Sequence, residues 1–252
     1  MIRKLVCAAA MASVFASPAF AAPSATAVLD FSSFGYSLAD TDASDGITAS
    51  FTLASQFHFA DACLLNDGDG NCSPSDAVGP MVYSANPAQV LSTGAWLPTI
   101  NGYATVLPAS LTSHIEGTVD NGMRSVNATR SIWVQFHGKG HVDAHVGYSV
   151  LASAGGEALP QEALAWVGLV ASPNGDYSQH FQTEALVNRP FTGTNSQAGV
   201  LSLSFDVDDG SVYRFDARAH THLMSAVPEP TSWGLMLGGL AALGIAARRR
   251  RA

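Results

Sequence analysis

The strongest chemical constellation in the sequence is "HGKGHVDAH", from His137 to His145. His141, Asp143 and His145 stand at i, i+2 and i+4, so on a β-strand all three project from one face. Two imidazoles and a carboxylate on one face can bind zinc or another transition metal, and His137 lies just across Gly138-Lys139-Gly140. An ordinary solvated strand face gives the same pattern, with Val142, Ala144 and Val146 turned to a core. His220 and His222, in "RAHTHLM", share a face of a later segment and would complete such a centre if the two strands lay side by side.

Two acidic loops point to a harder cation. "DTDASDG" offers Asp40, Asp42 and Asp45 before Gly46, and "NDGDGNC" offers Asp67, Asp69 and Asn71, oxygen ligands at short spacing as calcium requires. Neither completes an EF-hand: in the second, Cys72 stands where the glycine belongs and Val78 where the bidentate glutamate should fall. Asp, Asn and Gly are equally the ordinary residues of turns. The expectation is therefore no obligatory cofactor, with calcium or zinc as the candidates.

Enzyme templates are missing. There is no G-x-S-x-G elbow, no H-E-x-x-H, no phosphate loop ending in Lys-Ser/Thr and no G-x-G-x-x-G. A pair of separated carboxylates leaves no spacing rule, so the templates lower the expectation of catalysis without abolishing it.

The elements that must position these residues read as strands. Short runs of apolar/polar alternation are broken by Gly, Asn, Asp, Ser and Pro over Ala27–Leu38, Ile47–Phe59, Val78–Ser84, Gly102–Leu107, Leu111–Asp120, Ser131–His137, Val142–Ala152, Ala163–Ala171 and Gln179–Leu186. Only Glu162–Val170, rich in Ala and Leu, competes as helix. In "GVLSLSFDVDDGSVYRFDA", Leu201, Leu203, Phe205 and Val207 alternate with polar residues, as do Tyr213, Phe215 and Ala217. Asp209-Gly210 between them suits a type I′ hairpin. Many short strands without a long amphipathic helix predict one all-β domain, an antiparallel sandwich or jelly roll, over residues 22–226.

Both ends read as targeting pieces. Arg3 and Lys4 precede an apolar run from Leu5 to Ala16, and Ala19-Phe20-Ala21 fits the A-x-A rule, so residues 1–21 read as a signal peptide cut by signal peptidase. Two of the 12 basic residues lie in that leader and four at the C-terminus, and of the 20 acidic residues only Glu229 lies outside the body. The body thus holds 19 acidic against six basic residues, a charge that repels nucleic acid and anionic headgroups and suits divalent cations or neutral polymers. With Cys7 in the leader, Cys63 and Cys72 are an even pair in an exported chain and are expected to form a disulfide worth about 2.5 kcal/mol.

From Thr231 to Ala247 run 17 uncharged residues, about 26 Å as a helix, just able to span a membrane with Arg248, Arg249, Arg250 and Arg251 behind them on the cytoplasmic side. Ahead of the span, Pro228-Glu229-Pro230 fixes two φ angles around an acidic residue and keeps the chain extended, where a membrane enzyme can grip it. The order "VPEP", small-residue span, arginine cluster, over residues 227–251 of the terminal segment 227–252, resembles the PEP-CTERM sorting signal of Gram-negative bacteria. The resemblance implies cleavage by an exosortase near Pro228–Pro230 after transient anchoring by the helix of residues 231–247, and a final place at the cell surface or outside the cell. It is confined to this tail. The expectation for the body is a non-enzymatic surface or matrix protein associated with extracellular polysaccharide. The alternatives are a metal-binding module or metal-dependent enzyme using His141, Asp143 and His145, and a carbohydrate-binding module using Trp96, Trp133 or Trp166, of which Trp133 reads as core.

Overall fold

The computed structural model describes residues 22–63, 82–86, 88–119, 122–155, 161–190 and 192–225. Among these residues twelve strands follow one another: β1 (Ser24–Asp40), β2 (Ser50–Cys63), β3 (Val82–Ser84), β4 (Leu91–Leu97), β5 (Ile100–Leu107), β6 (Ser110–Gly117), β7 (Met123–His137), β8 (Gly140–Ala154), β9 (Gln161–Pro173), β10 (Phe181–Pro190), β11 (Gly193–Val207) and β12 (Val212–Ser225). No helix occurs among the described residues. The expected leader, the C-terminal span and Cys72 with its disulfide lie outside them, as does the second acidic loop.

Two six-stranded antiparallel sheets pack face to face, one in the order β11-β8-β1-β6-β5-β4, the other β10-β9-β12-β7-β2-β3. We call them sheets A and B. The alternation in the sequence explains the packing, because each strand gives one side to the space between the sheets. Val142, Ala144 and Val146 of β8 and Leu201, Leu203, Phe205 and Val207 of β11 are buried as the pattern predicts. Glu162–Val170 lies within a strand: Ala163, Ala165, Val167 and Leu169 point inward at a strict period of two, and sheet pairing overrides the local helix propensity. The expected strand at Ser131–His137 is the second half of the longer β7, and β4 had no counterpart in the reading of the sequence.

The expected hairpin at Asp209-Gly210 is not one. β11 pairs with β8 in sheet A, whereas β12 pairs with β7 and β9 in sheet B. The turn is an arch that carries the chain from one sheet to the other. Seven of the eleven connections between the strands cross in this way, so the chain weaves the two layers together. Gly210 and Gly138 both take positive φ in neighbouring arches. The arches are tied to each other, since Gly138 N–H donates to Asp209 Oδ1 at 2.7 Å and Gly210 N–H to the Phe136 carbonyl at 3.0 Å.

The core falls into two clusters of different character. The larger is rich in alanine, including Ala25, Ala27, Ala128, Ala152, Ala163 and Ala165, and allows the sheets to approach closely. Ser113 of β6 and Thr221 of β12 join the sheets there through a hydroxyl contact of 2.7 Å. The smaller gathers Phe136, Phe205 and Tyr213 with Val142 and Leu203, packed against Phe215. Bulky rings at one end and alanines at the other demand different spacings between the same two sheets.

Candidate functional site

His141, Asp143 and His145 do share the outer face of sheet A, on β8. The ring nitrogens of His141 are engaged by the neighbouring strand. His141 Nδ1 lies 2.6 Å from Asp206 Oδ1 and its Nε2 2.8 Å from Ser204 Oγ, both on β11, while Asp143 Oδ1 stands 3.6 Å away. The hydrogen bond to Asp206 leads in raising the His141 pKa, helped by the charge of Asp143. His145 lies across the backbone of Gly35, where an added Cβ would come within 2.4 Å of the ring. Among the described residues no three His, Cys, Asp or Glu side chains are placed to hold a metal ion. His137, at the end of β7, belongs to sheet B and is 3.4 Å from Thr52 Oγ1.

Asp40, Asp42 and Asp45 form turns. Asp40 Oδ1 accepts from Asp42 N–H at 2.9 Å, Asp42 Oδ1 from Ser44 Oγ at 2.6 Å and Asp45 Oδ1 from Ile47 N–H at 2.7 Å. The Ser44 hydrogen bond is the main cause that holds the Asp42 carboxyl below the usual range. Each carboxylate supports its own loop in the way Asx turns do.

His220 and His222 do not meet the first cluster, because β12 lies in the middle of the other sheet and both side chains are on its outer face. There they join a line of polar groups across three strands. Asp61 of β2 bonds to Asn127 of β7, Asn127 Oδ1 meets His220 Nδ1, and His220 Nε2 is 3.4 Å from His222 Nδ1. Burial, and secondarily the His222 charge, pulls the His220 pKa down to about 4. Burial also lowers His222 against a raising influence from Glu162, and raises Asp61.

Farther along the same face is a constellation that the sequence reading missed. Asp216 is only 1% exposed although it sits on the outer side of its strand. It accepts hydrogen bonds from Ser131 and Tyr177, and pairs with Arg214 Nε at 3.0 Å and Arg218 Nη2 at 2.8 Å. The Tyr177 ring, from the β9–β10 loop, is flanked by both guanidinium groups at 5.3 and 5.1 Å. Burial pushes the Asp216 pKa up, but the donors around it outweigh that and hold it below the usual range. Arg214, Asp216 and Arg218 at i, i+2 and i+4 of a strand were the available signal.

Between the two core clusters lies a cavity of about 400 Å³. Phe34, Tyr36, Phe51 and Leu53 rim it and are exposed, whereas His58, Val142, Ala144 and Leu203 line its buried part. Its origin is topological. β1 pairs with β6 only as far as Asp30 and Ser110, then bulges and continues along β8 from Gly35, so sheet A loses its neighbouring hairpin while β7 and β2 of sheet B carry on.

The tryptophans divide. Trp96 on edge strand β4 is 70% exposed on the outer face of sheet A, close to exposed Tyr103 on β5. Trp166 donates to Glu184 at 2.8 Å across the β9–β10 pair. Trp133, read from the sequence as core, is outward on sheet B and packs against Gly175 of the β9–β10 loop.

The family model of the PEP-CTERM protein-sorting motif matches residues 226–251. No curated protein and no solved structure matches the chain. The tail is thus a PEP-CTERM protein-sorting motif, which implies an exported protein recognised by exosortase and processed at the membrane.

Proposed function

We propose that this exported protein is a non-enzymatic component of the cell surface or extracellular matrix, associated with exopolysaccharide once exosortase has cut near Pro228, Glu229 and Pro230. The observation that carries the reading is the place of the motif. The last described strand, β12, ends at Ser225, and the matched segment begins at the next residue. Cleavage at the Pro-Glu-Pro sequence therefore removes no described strand and leaves intact the pairs that bind β12 to β7 and β9. The anchor is separable from the folded body, as a temporary address requires.

The body suits a hydrated polymer layer. Its excess of acidic residues keeps it solvated, and Trp96 with Tyr103 offers ring faces on which a sugar can stack. The polar clusters are engaged in holding loops and strands, which favours binding over catalysis. Deleting residues 227–252 should move the protein from the surface fraction to the periplasm or medium. An unchanged location would end the sorting claim, and Trp96→Ala should weaken retention on isolated exopolysaccharide without unfolding the chain.

A further inference from the structure

Two side chains that line the cavity between the core clusters carry buried polar nitrogens without a partner. His58 of β2 is fully buried, and neither ring nitrogen has a hydrogen-bond partner. Arg130 of β7 is its direct cross-strand neighbour, and both lie on the inward face. The guanidinium donates through Nη1 and Nη2 to the carbonyls of Pro108 and Leu107, at the tip of the β5–β6 hairpin, and stacks 4.4 Å over the Phe31 ring. Its Nε is buried and has no partner. Burial, followed by the Arg130 charge, lowers the His58 pKa, so the ring is neutral and presents one N–H and one bare nitrogen. Unsatisfied buried donors are costly and rare, and two on adjacent strands in one cavity call for a shared acceptor.

The remaining wall is apolar. Phe34, Tyr36 and Phe51 form a chain of ring contacts at the mouth, with centroids 6.2 and 5.4 Å apart, and Ile132, Val142 and Leu203 lie deeper. The volume falls within the range of small-molecule sites, and voids of this size are foreign to a close-packed core. We propose that the cavity binds an amphipathic acid, an acyl or aromatic body bearing one carboxylate, with the carboxylate between His58 and Arg130 and the apolar body against the aromatic mouth. A carboxylate supplies the acceptor oxygens that the His58 N–H and the Arg130 Nε–H lack, and no described carboxylate is ion-paired with Arg130. The inference is independent of the sorting reading.

Equilibrium dialysis of the exported protein, as recovered from its cells, against radiolabelled decanoate tests it, with decanol as the neutral comparison. One equivalent of decanoate is expected to bind, at least tenfold more tightly than decanol. Ala144→Leu fills the cavity and should lower decanoate affinity by about tenfold or more. His58→Leu removes a donor while keeping the wall apolar; it should bring decanoate and decanol to similar affinity without lowering the melting temperature. Because the two variants act on different walls, misfolding of one leaves the other decisive. Absence of binding, equal affinity for the two probes in the unaltered protein, or undiminished decanoate binding in both variants would overturn the proposal.

Discussion

Two histidine pairs, each held on one face of a strand, lead opposite lives in this molecule. His141 belongs with His145 on the outer face of sheet A, where Asp206 and Asp143 favour its protonated form. His220 and His222 sit on the outer face of sheet B, where burial keeps both rings neutral. Alternation along a strand places two side chains on one face; what covers that face decides their chemistry. On sheet B the cover is supplied by neighbours on β7 and β9, and farther along by the β9–β10 loop, whose Tyr177 closes over Asp216.

The sharpest way to break the contrast is to remove the charge under that cover. Asp216→Ala leaves Arg214 and Arg218 facing each other without their carboxylate and strips Ser131 and Tyr177 of their acceptor. Breaking a buried pair costs about 4 kcal/mol, against little for an exposed one. Thermal or urea unfolding should show a loss of that order for Asp216→Ala and almost none for Asp206→Ala on sheet A. Equal losses would erase the distinction between the two faces.

Acid should act next. A histidine whose folded pKa lies below its unfolded value of about 6.5 binds fewer protons in the native state, so stability is fully present above that value and falls as pH drops toward the folded pKa. For His220, with a folded pKa of about 4, the loss between pH 6.5 and 4 amounts to about 3 kcal/mol. His222, Glu162 and Asp61 share this neighbourhood; His222 adds in the same direction, whereas the raised Asp61 acts oppositely, gaining stability as its own carboxyl protonates. His220→Gln, which can still meet Asn127, should flatten the pH dependence of the melting temperature over this range. A slope unchanged in the variant would assign the acid sensitivity to other groups.

Which faces are inward was legible for the alternating strands, though not for Trp133 on β7, and how the strands connect was not. Leu201, Leu203, Phe205 and Val207 and then Tyr213 and Ala217 are buried as the alternation requires, yet the same pattern fits a hairpin within one sheet and an arch between two. In both cases the apolar residues face one core, and the turn residues Asp209-Gly210 satisfy either geometry. Sites were harder to read for the same reason. His58 looked like any polar residue between two phenylalanines, and its burial beside Arg130 depends on a bulge in β2 and on where β6 stops short of β1, which no local spacing encodes. The sorting tail was readable because its signal is linear: a rigid Pro-Glu-Pro bracket, a span and a charge cluster in fixed order.

The smallest effect gives the finest test. His141 is exposed, so its hydrogen bond to Asp206 adds nothing measurable to stability, yet it should be visible in the titration of that one ring. In an NMR titration the His141 signals should report a pKa above the ordinary histidine value. Asp206→Asn should move it downward, since the hydrogen bond to Asp206 is the largest contribution, and adding Asp143→Asn should move it further by a lesser step, because Asp143 stands 3.6 Å away and acts mainly through its charge. Raised salt should shrink the Asp143 step more than the Asp206 step, as long-range attraction between exposed charges is screened while a direct hydrogen bond persists. If both steps vanished together in salt, the ring would be responding to the general acidic field of the body, and the pairing with Asp206 would not persist in solution.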